Sequence, residues 1–212
     1  MLRAFHCGDL EIRAAGKRRR LTGSFPYNRT ATLSNGGRNG RPKKERFKPH
    51  SLRYNIEKQD VNLRLLSGHE YSKPLADRAS GSLVVRDTPA AVTFEAVIPP
   101  EMETVSWVQD ALAGVASGLI RGISIGFMLP PRRAVERAEE IEEEPDDGTL
   151  DENGEPRRGA IIRNIHAALL WELSLVTAPS YEDSEVSLRN WQAAMAEAPD
   201  AGLHRVLNRW RP

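Results

Sequence analysis

From Asp60 onward the hydrophobic and polar residues fall into short, regular periods. In VNLRLL, Val61, Leu63 and Leu65 alternate with Asn62 and Arg64, which is the period of a half-buried strand. SLVVRD and VTFEAVI repeat the pattern on either side of the turn-like DTPAA, and three short strands in succession predict an antiparallel sheet or barrel. The period then changes. In ETVSWVQDALAGVASGLI, Val105, Val108, Leu112, Val115 and Leu119 recur at spacings of three and four, predicting one amphipathic helix closed near Gly118 and Gly122. GISIGFML returns to alternation, with Ile123, Ile125, Phe127 and Leu129 on one face and Ser124, Gly126 and Met128 on the other. The apolar face is the core side, so Ser124 points away from it.

The flanking segments are less regular. Residues 16–50 are basic and punctuated by glycine, proline and asparagine, and only LTGSFPY reads as a strand. They predict one or two strands joined by a long exposed loop, with KRRR and RPKK as solvated charge. No aromatic residues are interleaved to stack bases, so nucleic acid is not an expected partner. Residues 131–159 turn acidic and lose their large apolar groups, which predicts a long, partly disordered excursion holding at most a short hairpin or helix. AIIRNIHAALLWELSLV then reads as a strand pair or one long bent strand. Asn164, His166, Ala168, Leu170, Glu172 and Ser174 fall on one parity, and Ile165, Ala167, Leu169, Trp171, Leu173 and Leu175 on the other. After TAPSYED, the segments SEVSLRNWQAAMAEA and AGLHRVLNRW predict two tail helices, the second with a stripe of Leu203, Val206, Leu207 and Trp210.

Composition sets the frame for these elements. At 212 residues and 40% hydrophobic content the chain suits one sizeable core, and a formal net charge of +1 names no partner. One cysteine, Cys7, excludes an internal disulfide framework and a cysteine-rich zinc site, and fits a reducing compartment. The N-terminal MLRAFHCGDLEIR lacks the apolar stretch of a secretory signal, and no run of about 18 apolar residues is present to span a bilayer. The expectation is a soluble, intracellular protein.

The candidate chemistry begins at RGISIGF, Arg121 to Phe127, which matches the G-x-S-x-G of serine hydrolases. In that elbow the serine sits on a sharp strand-to-helix turn within an α/β sheet. Here two isoleucines flank Ser124 and the following FMLPP continues a strand, a setting that suits extended backbone rather than a turn. A serine on a strand still becomes a nucleophile if a histidine base reaches it and a third group orients that base. His69 is the best placed of the five histidines, beside Gly68 at the end of VNLRLL. The third group is His166 or Glu172, which share one parity of one segment. Glu172 lies in the apolar LLWELSLV, where an unpaired buried carboxylate would cost several kcal/mol and so demands a partner.

Taken together, the blocks ERFKPHSL, LLSGHEYSKPLA, SGSLVVRD, VTFEAVIPP, GLIRGISIGF and WELSLVTAPSYEDSEV resemble the prohead proteases of tailed bacteriophages, whose fold is similar to that of the herpesvirus assemblins. The resemblance runs over about residues 8–187 and keeps the order and spacing of the blocks. It implies a mainly β, α+β fold: an antiparallel β-barrel with helices packed around it, in a protease domain of residues 1–186 with the acidic 131–159 as a flexible insert, followed by a helical tail of 187–212. It also implies a serine endopeptidase that needs no cofactor or metal and works inside the prohead, in the cytoplasm of the bacterial host. Its expected partners are the major capsid protein with its scaffold segment, its own chain as a substrate, and further copies of itself, with no membrane involved. Ser124 then matches the nucleophile, His69 the general base and Glu172 the third position, with His166 in reserve because the herpesvirus relatives use a second histidine. His50 stands where glycine is common in such proteins. Backbone N–H groups, the glycine-bordered acidic loop, or Arg132 and Arg133 are candidates for the oxyanion hole. Two other readings differ in class: a non-catalytic assembly or scaffold factor of the same fold, and a small esterase, which would require an α/β sheet.

Overall fold

The computed structural model describes residues 11–15, 18–37, 40–150, 154 and 156–177. Its strands are β1 (Glu11–Ala15), β2 (Arg18–Pro26), β3 (Thr30–Ser34), β4 (Lys43–Phe47), β5 (Arg64–Ser67), β6 (Glu70–Asp77), β7 (Leu83–Asp87), β8 (Ala91–Ile98), β9 (Gly122–Met128), β10 (Glu139–Glu143), β11 (Ile161–Ile165) and β12 (Leu169–Val176). Two helices, α1 (Arg53–Glu57) and α2 (Ser106–Ala116), accompany them. Both segments expected as tail helices lie outside the described residues.

The strands form three four-stranded sheets, ordered β1-β2-β8-β7, β10-β11-β4-β3 and β6-β5-β12-β9. The fold is thus mainly β with few helices, as expected. Among the described residues, however, no hydrogen-bonded ladder joins the sheets into a closed barrel. Nor is the pairing purely antiparallel, because β11 runs parallel to β4 and β12 parallel to β5. A parallel pair needs a long crossover, and here the intervening strands supply it. The parallel, helix-covered sheet that the esterase reading requires is not what these strands build.

One apolar core serves all three sheets. Leu21, Val92, Phe94 and Ile98 enter it from the first, Phe47 and Ile165 from the second, and Leu65, Ile123, Leu173 and Leu175 from the third, while α2 adds Val108, Ala111 and Leu112. Its centre is aromatic. Phe47 of β4 meets Phe25 of β2 edge-on, with centroids 5.3 Å apart, and meets Phe127 of β9 the same way at 4.9 Å. Each ring comes from a different sheet, so Phe47 ties the three layers together through contacts of favourable quadrupole geometry.

Several departures from the sequence expectation have a common cause, the pairing of opposite charges. The basic stretch, expected as one or two strands joined by a long exposed loop, forms three strands, β2, β3 and β4. In β2, Leu21, Gly23 and Phe25 face inward, and two arginines ahead of them are ion-paired: Arg20 with Glu95 at 2.9 Å and Arg19 with Glu103 at 3.6 Å. The acidic 131–159 segment likewise contains a strand, β10, antiparallel to β11. Arg41 reaches Glu143 at 2.5 Å, Lys44 reaches Glu144 at 2.9 Å, and Arg163 bridges Glu139 and Glu45 at 2.5 and 3.1 Å. The acidic run orders by lying beside the basic one.

The expected helix is shorter than its apolar stripe. Pro100–Thr104 forms a 3₁₀ turn, and α2 stops at Ala116, with Gly118 at φ +70°. Leu119 lies beyond that stop and is 68% exposed, so it leaves the stripe. The AIIRNIHAALLWELSLV segment divides into β11 and β12, which belong to different sheets. His50 adopts φ +63°, a left-handed conformation that glycine enters without steric cost. Its ring bonds to the nearly buried Asp87, which also accepts from the Tyr27 hydroxyl at 2.5 Å. Burial, reinforced by Asp87, pushes the Tyr27 phenol well above its ordinary range.

Truncating the central ring removes the contacts that join the sheets. Because Phe47 is only 4% exposed, Phe47→Ala should lower unfolding free energy by about 3–5 kcal/mol. Urea unfolding checks this, and a loss below about 1 kcal/mol would show that the core tolerates the gap.

Candidate active site

The site is built on the pairing of β9 with β12. Gly126 lies opposite Glu172, Ile125 opposite Leu173, Ser124 opposite Ser174 and Ile123 opposite Leu175. Directly opposed residues project from the same face of a sheet. Ile123, Ile125, Leu173 and Leu175 therefore point to the core, and Ser124, Gly126, Glu172 and Ser174 share the other side. The register slips between Leu170 and Glu172, leaving Trp171 in a β-bulge. The bulge reverses parity, so Leu170, expected on the face of Glu172, enters the core instead.

His69 reaches this face from the adjoining hairpin. β5 turns into β6 through Gly68 and His69, at φ +64° and +62°, the signs that a two-residue type I′ turn requires at both central positions. A left-handed histidine is strained by roughly 1–2 kcal/mol. Two hydrogen bonds hold the turn against β12: Gly68 N–H donates to Leu175 O at 3.0 Å, and His69 N–H donates to Ser174 Oγ at 3.0 Å. The imidazole then lies 2.7 Å from the Glu172 carboxylate, Nδ1 to Oε1.

Glu172 has no solvent exposure, so its charge depends on donors within the protein. Among the described residues it has two: His69 Nδ1–H on Oε1 and the Ser174 hydroxyl on Oε2 at 2.6 Å. With Nδ1–H given to the carboxylate, Nε2 keeps its lone pair and is the basic nitrogen. Ser124 sits one strand spacing, about 5 Å, from Ser174. It is partly exposed while Ser174 is sealed, so of the two paired serines Ser124 is the accessible one. Among the described residues, no hydrogen bond joins Ser124 to His69. Catalytic hydrogen bonds are often loose before substrate binds.

His166 lies elsewhere. It follows β11 in the second sheet and pairs with Glu140 at 3.3 Å, so the structure brings Glu172, not His166, to His69. Arg132 and Arg133 are exposed in the turn after β9. Two contributors went unread in the sequence. Ser174 carried a usable signal, since it shares the parity of Glu172 two residues away. Gly126 carried another, since the second glycine of G-x-S-x-G faces the carboxylate.

That glycine is required for space. A Cβ at position 126 would stand 2.4 Å from Glu172 Oε1 and 2.9 Å from its Cγ. Gly126→Ala should therefore displace the carboxylate from His69 and cost about 1–3 kcal/mol of stability. Thermal unfolding together with the NMR signature of the His69 ring tests this, and an unchanged ring and midpoint would disprove the steric argument.

The family model of the caudovirus prohead serine proteases matches residues 27–198, a span that takes in all of the strands and side chains just described from Tyr27 onward. No curated protein and no solved structure matches the chain. With most of its length covered by that match, the chain belongs to the caudovirus prohead serine protease family.

Proposed function

We propose that this chain is a serine endopeptidase of capsid maturation that cleaves scaffold, or the scaffold segment of the major capsid protein, inside the prohead. The observation that carries the reading is the 2.7 Å bond between His69 and the buried Glu172 on the face that Ser124 occupies. In the proposed reaction His69 Nε2 takes the proton of Ser124 as its oxygen attacks a peptide carbonyl. Glu172 fixes the ring and offsets the imidazolium charge that develops. The same proton then passes to the leaving amine, and water repeats the cycle on the acyl-enzyme.

Family membership supports the reaction class, and the finer statements belong to the proposal. These are an assemblin-like closure of the sheets into a barrel, a working location in the prohead interior within the host cytoplasm, self-association there, and cleavage of its own chain beyond about Ser187. A non-catalytic assembly factor would have no use for a histidine held on a buried carboxylate beside an accessible serine.

Ser124→Ala should abolish processing of co-expressed capsid protein, and cleavage at the normal rate would refute the assignment. Mass spectrometry of wild-type chain against Ser124→Ala should show loss of a C-terminal piece in the wild type only. For Glu172→Gln the expected loss is about 10²–10⁴-fold in rate with the fold retained. His166→Ala should process normally, and the reverse ranking of these two variants would move the third role to His166.

A further inference from the structure

Ser174 divides its hydroxyl between the two ends of the His69 support. Its hydroxyl proton goes to Glu172 Oε2 at 2.6 Å, and its oxygen accepts the His69 backbone N–H at 3.0 Å. One hydroxyl can do both, since it carries one proton and two lone pairs. The residue has no solvent exposure, so water cannot substitute in either role. A buried serine in a strand commonly satisfies itself on a neighbouring backbone group. Here the hydroxyl instead holds the carboxylate that orients the imidazole and the strained backbone that carries it.

We propose that Ser174 is a positioning residue of the peptidase: it fixes His69 at both its ring and its backbone, and it shares the negative charge of Glu172. This rests on the reading of Ser124, His69 and Glu172 given above. Without the hydroxyl, the carboxylate loses its donor on Oε2 and the His69 backbone N–H loses its acceptor, so the imidazole is held less firmly over the face of Ser124.

The test follows fluorophosphonate labelling of Ser124 in proheads assembled by co-expression with capsid protein, for wild type, Ser174→Ala and Ser124→Ala. Ser174→Ala should label about 10–100-fold more slowly at saturating reagent, with reagent binding unchanged. A saturated labelling rate equal to wild type would overturn the Ser174 role alone. Absence of Ser124 labelling in wild-type proheads would instead overturn the peptidase reading, and the role with it. Should Ser174→Ala fail to fold, amide exchange in the Ser124→Ala chain decides the matter. The His69 amide should exchange at least about 100-fold more slowly than an open turn, and free exchange would overturn the proposal.

Discussion

A carboxylate with no access to water governs the arrangement of this protein's third sheet. Burying an ionised glutamate without partners would cost several kcal/mol, so the surroundings of Glu172 are constrained on every side. A glycine must face it across the ladder, a hydroxyl must stand two residues along the strand, and an imidazole must be brought over it by a hairpin. His69 in a left-handed turn is unfavourable by itself, and becomes acceptable because Ser174 and Glu172 bind it from below.

How much of this was readable in the sequence varied with the kind of information required. The alternation around Ser124 gave both the strand and its polar face, because the period of two belongs to the backbone itself. The demand of Glu172 for a partner was equally legible, since it follows from a charge in an apolar run. Parity failed at Leu170, because a bulge inserts one residue without leaving a compositional mark. The contest between His166 and Glu172 could not be settled from spacing either, since a short gap at 166–168 sends β11 and β12 into different sheets. The strands of the basic segment were obscured because arginine at the outward positions looks like loop composition. Charge neutralisation between 41–46 and 139–144 is a contact across about 100 residues, invisible to any local window.

The glycine pattern shows how one motif can arise from different mechanics. In a nucleophile elbow the glycines allow a cramped turn. Here the backbone from Gly122 to Met128 is ordinary strand, and the glycine at 126 serves the carboxylate opposite it. The resemblance to the elbow is formal. The chemistry it suggested survives because activation of a serine depends on where a base can be held, and a sheet face with a stitched hairpin can hold one as firmly as a turn.

Strand β10 carries a different consequence. It lies at the margin of its sheet with Glu139, Glu140, Glu142 and Glu143 all open to solvent. A margin of this kind normally invites a neighbouring chain to extend the sheet, and charged side chains open to solvent along it oppose such an addition. Lateral zippering of two copies along that border is therefore disfavoured, and crowding many copies into a small volume would not by itself seed fibrous aggregation from this side.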